Sequence, residues 1–415
     1  MDDTHFPRTR SVAREWPTWP QPAPNALRAL ERVLHSGRWS ISGPNTGREN
    51  EERRFAKAFA AYCGVPHCVP ATNGTASLLI ALEACGIGAG DEVITPAISW
   101  VASASTIVSI NAIPVFCDVN PQTLCIDIEA IEALITAETK AILVVHLYSS
   151  VADLDSITVL AERHGLFIIE DCSQAHGATY RHRKVGSYGH AGAFSMHHTK
   201  VLTCGEGGAA ITNDAEIADR MGQLRSDGRR YPNQPPPVGT MELVPGDMMG
   251  SNRAMSEFHA AILIEQLTLL DAQNAIRANN AAELDRKLRQ LEIETQQTSE
   301  GTTFRSYFGY AFALPSSVLN RKSAIEAASD LSAALGFTVR PIYEPIYRSA
   351  LYRPASRRRF HISATQQSRL AGDRLWLPNA EGVSRQWLTF HHSALLGNED
   401  EIFAIAAEVE ALLLH

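Results

Sequence analysis

The sequence predicts an α/β protein: a large, mainly parallel sheet clad by helices, followed by a smaller α+β domain at the C-terminus. Three observations lead there. Between about residues 65 and 225, short β-branched runs alternate with amphipathic stretches, and strands that are apolar throughout belong to a sheet covered on both faces. Glycines stand just past helical patterns at Gly86, Gly165 and Gly228, the place of a left-handed C′ residue. The chain has 415 residues, two or three domains' worth at about 150 residues each and long enough to bury a core without a disulfide or metal staple.

The elements follow in order. Glu92-Val93-Ile94-Thr95 reads as a strand and Ala102 to Ile110 as a small-residue helix. Pro114 to Asp118 is the next strand and Ile128 to Ile135 the next helix. Ala141 to Val145 is a strand, Ile157 to His164 a helix and Leu166 to Ile169 a strand. Tyr231 to Gly239 (YPNQPPPVG) is too rich in proline for helix or central strand and is expected as an exposed loop. Ser256 to Leu288 is helical in pattern, and a bend within it would divide residues 1–275 from a C-terminal domain at 276–415. That domain has strand candidates at Tyr307–Leu314 and Phe337–Ile342, with helices near Lys322–Leu335 and Asp400–Leu414. Arg353 to His361 is basic and expected as a solvated loop.

Composition narrows the function classes. Apolar residues are 45% and charged residues 20%, ordinary globular usage rather than disorder or coiled coil. A net charge of −8 argues against nucleic acid or an anionic membrane as partner. No apolar run approaches the roughly 20 residues that span a bilayer, and Met1 to Arg10 lacks a secretory h-region. The seven cysteines are odd in number and unpaired in spacing, so reduced thiols and a cytoplasmic location are expected, with no metal site.

Four segments of the α/β region carry chemistry. Ala71-Thr72-Asn73-Gly74-Thr75-Ala76-Ser77 precedes an amphipathic helix; it is either an ordinary N-cap or a cradle whose free N–H groups suit a phosphate. Glu170-Asp171-Cys172-Ser173-Gln174 ends a strand, where open α/β sheets bind ligands. A carboxylate there suits a protonated ring nitrogen, a metal or a structural cap. Ser195 and, five residues on, Lys200 precede Gly207-Gly208, and a lysine of lowered pKa is the residue type for a Schiff base. Trp100 follows a strand and either stacks on a flat cofactor or belongs to the core. His197 and His198, adjacent in an extended segment, are expected to point to opposite sides and not to share a metal.

Phosphate cradle, stacking aromatic, ring-nitrogen carboxylate and lysine, in that order, point to pyridoxal 5′-phosphate (PLP). The chain resembles the DegT/StrS family of sugar and cyclitol aminotransferases, within the fold-type I PLP-dependent transferases. The resemblance runs from about Gly37 to the C-terminus through Asn73-Gly74-Thr75, Glu170-Asp171, Phe194-Ser195, Lys200, Gly205-Glu206-Gly207-Gly208 and Gly250-Ser251-Asn252-Arg253. It implies that Lys200 holds PLP as a Schiff base, that Asp171 pairs with the pyridine nitrogen, that Gln174 lies near the ring hydroxyl and that Trp100 stacks on the ring. Gly74, Thr75 and Ser195 would bind the phosphate, joined by Asn252 from a second subunit of a homodimer with composite active sites; Asn252 as a helix-capping residue is the alternative. Family dehydratases replace the lysine with histidine, so Lys200 favours amino transfer.

Within the family, Trp16 to Pro20, Gly37 to Gly43, Val145 to Asp155 and Lys200 to Gly208 resemble enzymes that aminate scyllo-inosose or 2-deoxy-scyllo-inosose with L-glutamine. The implied donor is L-glutamine or L-glutamate and the acceptor a keto-cyclitol or ketosugar, in aminocyclitol antibiotic biosynthesis. His197-His198 stands where that group usually carries glutamines, and His197 looks more like nucleotide-sugar aminotransferases. An aromatising lyase of the aminohydroxybenzoate type and a non-catalytic PLP-binding regulator are the remaining alternatives. Arg229 and Arg253 are candidates for the donor carboxylate, and His391-His392 is either near the substrate mouth or a surface pair.

Overall fold

The computed structural model describes residues 15–232, 234–356, 364–371 and 375–414. Its centre is a seven-stranded sheet in the order His67–Ala71, Gly208–Thr212, Ala191–Ser195, Phe167–Asp171, Thr139–Val145, Glu92–Pro96 and Ile113–Cys117. Only Gly208–Thr212 opposes its neighbours; the other pairings along the sheet are parallel. Strand interiors such as Ile142-Leu143-Val144 are buried on both faces, as their unbroken apolar runs require.

Helix boundaries follow local chemistry. Asn73, Asp153, Asp214 and Ser256 each accept a backbone N–H from the first turn of the helix they precede. The helix expected from Ile157 begins at Leu154 instead, because Asp153 caps it and Leu154 is buried. Ile128–Ile131 passes into a 3₁₀ turn at Glu132–Leu134 rather than continuing as α-helix. Gly86 and Gly165 take left-handed φ at helix ends. Gly228 does not sit at the expected C′ position: after the cap at Ser226, Asp227 occupies it with φ 57°, and Gly228 is needed because a Cβ there would strike the Met248 carbonyl. The proline-rich segment is a loop closed by the pairing of Arg229–Arg230 with Val244–Pro245. Its first residue is anchored, with the Tyr231 hydroxyl 3.1 Å from Glu52.

One continuous helix, Glu257–Gln290, leaves the main sheet's surroundings. Ala260, Leu263 and Leu270 pack in the main core, whereas Ala281, Leu284 and Leu288 pack in a second core. That second core lies on the antiparallel sheet Gly309–Ala313, Trp387–His391 and Val339–Pro341, with helices Ala324–Leu335 and Glu399–Leu414 against it. The basic segment is described only to Ser356; residues 357–361 lie outside the described residues. Among the described residues no helix is long and apolar enough to cross a membrane, and all seven cysteines are free thiols.

Candidate active site

Parallel strands bring their carboxyl ends to one edge of the sheet, and so Pro96, Val145, Asp171 and Ser195 end there together. A cavity of about 560 Å³ opens above them. Gly74, Thr75, Trp100, Asp171, Gln174, Ser195 and Lys200 all line it. Asn252 does not. It is exposed, and its side-chain oxygen accepts the Ala254 N–H at 3.3 Å.

The cavity floor is the N-terminus of helix Gly74–Ala84. Asn73 takes up the Ala76 N–H at 2.8 Å, which leaves the first N–H groups of the helix directed outward. A Cβ at Gly74 would stand 2.5 Å from Ser195 Cβ, so only glycine lets the helix start and the strand end meet. Gly208 likewise has no room for a Cβ against Asn73. The result is a concave set of donors, N–H and hydroxyl together, of a size and polarity that fit a phosphate.

Asp171 and Glu170 separate by strand alternation. Asp171 faces the cavity, 5% exposed. Its oxygens accept from Ser103 Oγ at 2.9 Å and the Ser173 N–H at 3.1 Å, and Ser99 lies 2.8 Å from Ser103. Glu170 turns the other way and accepts the Gly186, Tyr188 and Gly189 N–H groups at 2.7–2.8 Å. With His146 at 3.1 Å and Cys172 nearby it forms a buried trio with ligand atoms within 4.8 Å of one another. The Glu170 oxygens and both His146 nitrogens are already engaged, which makes the trio an anchor for the 186–189 turn.

Lys200 is half-buried in the cavity wall, its Nζ 4.1 Å from the centre of the Phe308 ring. Burial pushes its pKa down from 10.5 to about 8, with Asp171 opposing the fall and Arg340 adding to it. Gln174 accepts the Tyr148 N–H at 2.8 Å. Tyr148 adopts φ 56°, a strained conformation for a non-glycine held by that bond, by the Phe308 N–H on its carbonyl and by the Tyr343 N–H on its hydroxyl. Trp100 is 51% exposed, its ring 6.1 Å from that of Tyr343; it is a wall of the cavity rather than core.

Some expectations need correction. His197 and His198 do not point apart: the segment is a turn, and their rings lie 4.2 Å between centres with nitrogens 3.1 Å apart. Arg229 pairs with Asp227 and Arg253 with Glu83, and neither lines the cavity. The guanidinium that does is Arg340, which with Tyr343, Phe308 and Ser103 escaped notice in the sequence. None of these four has a local motif: Ser103 comes from the helix Ala102–Ser109, Phe308 from just before the strand Gly309–Ala313, and Arg340 and Tyr343 from the strand Val339–Pro341 and the residues after it. His391 lines the cavity and His392 is 0% exposed, so they are not a surface pair.

Helix N-terminus, carboxylate, lysine and aromatic wall together form a donor set that fits PLP: anion cradle, ring-nitrogen partner, amine and ring cover. The comparisons agree with that chemistry. Residues 21–390 match the DegT/DnrJ/EryC1/StrS aminotransferase family. The chain is 57% identical over 403 residues to L-glutamine:2-deoxy-scyllo-inosose aminotransferase of Streptoalloteichus tenebrarius, covering 97% of this chain and 95% of the relative. It is 52% identical over 401 residues to L-glutamine:scyllo-inosose aminotransferase of Streptomyces griseus, covering 96% and 95%. Among solved structures it is similar to 3-amino-5-hydroxybenzoic acid synthase, with TM-score 0.81, 28% identity and coverage of 96% and 99%. It is also similar to S. venezuelae DesV in complex with a ketimine intermediate, with TM-score 0.79, 32% identity and coverage of 94% and 95%. The chain is an enzyme of fold type I and belongs to the DegT/DnrJ/EryC1/StrS aminotransferase family.

Proposed function

We propose that this aminotransferase uses PLP to move an amino group from L-glutamine, or L-glutamate, to a keto-cyclitol of the scyllo-inosose class, a cytoplasmic step in making an aminocyclitol antibiotic. The observation that carries the reading is Lys200, half-buried, sharing one cavity with Asp171 and the Gly74–Ser195 cradle. Identities of 52–57% to enzymes named for those substrates support the donor and acceptor.

Bound there, PLP would supply an aldehyde carbon for amines and a protonated ring able to take up an electron pair. The chain's residues do the rest. Gly74, Thr75 and Ser195 would hold the phosphate, Trp100 would cover the ring and Gln174 would lie near the ring hydroxyl. Asp171, held in place by the Ser103 hydroxyl and the Ser173 N–H, would pair with the protonated ring nitrogen. Lys200 would hold the cofactor through its Nζ at rest, and its free amine would be the base and acid that carries a proton between the donor's α-carbon and the cofactor's aldehyde carbon, a task that a pKa of about 8 suits. Arg340 is the guanidinium placed to hold the donor's carboxylate. His197 and Glu206, 3.7 Å apart in the cavity wall, offer hydrogen bonds to a polyol.

We read the active unit as a homodimer, Asn252 of one subunit completing the phosphate site of the other. Its exposure, that of Met249 at 93% and that of Trp100 support a covering partner. A domain boundary near residue 275 is supported by the change of core along helix Glu257–Gln290. A nucleotide-linked ketosugar is the second reading, favoured by His197 at the cavity wall. Enzyme charged with L-glutamine and then offered scyllo-inosose, 2-deoxy-scyllo-inosose or a nucleotide ketosugar separates the two. A cyclitol amine by mass spectrometry is expected; an amine from the nucleotide sugar alone overturns the cyclitol reading.

A further inference from the structure

The three carbonyls immediately before Lys200 are all engaged. The His197 carbonyl accepts the Lys200 N–H at 2.8 Å, closing the turn. The His198 carbonyl accepts the indole N–H of Trp19 at 2.9 Å. The Thr199 carbonyl receives two donors, His391 Nε2 and His392 Nε2, each at 3.1 Å. These donors come from 179, 192 and 193 residues away. A carbonyl oxygen has two lone pairs, so the oxygen of the peptide that bears Lys200 is saturated from outside its own element.

The ring protons follow from the partners. The Ser393 backbone N–H points at His391 Nδ1 at 3.3 Å; an N–H only donates, so Nδ1 is the acceptor and Nε2 carries the proton. His392 Nε2 faces only a carbonyl and must carry its proton too, while its Nδ1 is buried without a partner. Protonating that nitrogen would bury a second charge beside the Arg277 guanidinium, which is itself 0% exposed, lacks an anionic partner among the described residues and lies 5.1 Å from the Trp19 ring. Trp19 in turn packs edge-on to His392 at 4.6 Å. Burial, with the nearby Arg277 guanidinium adding to it and the bond to the Thr199 carbonyl opposing it, pushes His391 down to about 4 and His392 well below its ordinary value. Both rings are therefore neutral Nε2–H donors.

We propose that His391 and His392 are positioning residues: through the Thr199 carbonyl they fix the peptide plane that carries Lys200, and so aim its amine, with Trp19 holding the preceding carbonyl. This rests on the reading of Lys200 as the cofactor-bearing amine. An amine that must alternate between holding the cofactor and moving a proton needs a backbone that stays still while the side chain swings, because a misplacement of about 1 Å lowers a rate about 100-fold.

Three measurements test it on the full-length holoenzyme. The double variant His391→Phe/His392→Phe keeps the ring shapes and removes both donors; His391→Gln/His392→Gln retains an N–H near the Nε2 positions. The Phe pair should lower kcat in both half-reactions by about 10- to 100-fold, leave KM for L-glutamine and ketone within about twofold, and move the pH midpoint of the lysine–cofactor absorbance by about half a unit or more. The Gln pair should restore most of each. Phe variants with unchanged kcat and midpoint, or Gln variants as impaired as Phe, overturn the proposal. Should the Phe pair not fold, ¹⁵N-histidine spectra of the unmodified enzyme decide: Nε2–H tautomers at both positions near pH 7 are expected, and an Nδ1–H tautomer or a protonated ring at either overturns it. An unmodified enzyme with no lysine–cofactor absorbance at all would instead sink the PLP reading itself.

Discussion

Lys200 shows how one environment sets the reactivity of one atom. Burial disfavours its ammonium form, while the Asp171 carboxylate in the same cavity favours it, and burial wins, leaving a pKa of about 8. The sign is testable. In protein stripped of cofactor, about a tenth of Lys200 is neutral at pH 7 and about nine tenths at pH 9, where exposed lysines remain mostly charged. Acylation followed by peptide mass spectrometry should therefore give Lys200 a pH midpoint near 8, more than two units below the surface lysines. Asp171→Asn removes the opposing charge and should move that midpoint lower still. A midpoint at 10 or above would show that the amine is not desolvated as described. Residue types alone pointed to Lys200 and Asp171, but they carried no information on Ser103, which meets Asp171 from a helix 68 positions earlier.

At the scale of elements, the helix Gly74–Ala84 and the strand Ala191–Ser195 act as a unit. Gly74→Ala places a methyl 2.5 Å from Ser195 Cβ and 3.0 Å from its Cα, and backbone on one side leaves little to yield. The expected outcome is a loss of PLP affinity of about tenfold or more by equilibrium dialysis, with a fall in stability of about 1–3 kcal/mol. Affinity that stays unchanged would mean that the helix N-terminus does not receive the phosphate. The glycine and hydroxyl residues around Asn73 were readable as either an ordinary cap or a cradle. The structure shows the cap, with the Asn73 side chain taking an N–H of the helix, and brings Gly74 and Thr75 to the cavity, where the phosphate role remains our proposal. The same double reading failed for His197-His198, where alternation was assumed and a turn occurred instead. A one-residue change from extended to turn geometry reverses where a side chain points, and periodicity is silent on that.

At the scale of the whole molecule, the composite-site reading makes its own prediction. Lys200→Ala removes the amine of one site, and Asn252→Asp adds repulsion to the phosphate of the other subunit's site. Each variant alone should be nearly inactive. Mixed by co-expression, random pairing leaves about a quarter of the sites intact, so activity should return to about a quarter of the unmodified level. Hybrids that form by native mass spectrometry yet stay inactive would mean that Asn252 does not serve the other subunit's site.

Four of the main sheet's strands, the helices between them and the family resemblance followed from the chain read linearly, because each rests on neighbours within a few residues: apolar runs, caps, a strand end followed by an acid, a lysine before glycines. The strands His67–Ala71, Ala191–Ser195 and Gly208–Thr212 did not, the last two being short and rich in alanine and glycine. The corrections arose where the decisive contact lies far off in sequence. Arg340 and Tyr343 enter the cavity from the second sheet and its flank, and His391, His392 and Trp19 meet at one turn from opposite ends of the chain. Such meetings are fixed by how the two cores pack against the long helix they share, a property of the folded volume that has no period, spacing or composition to announce it.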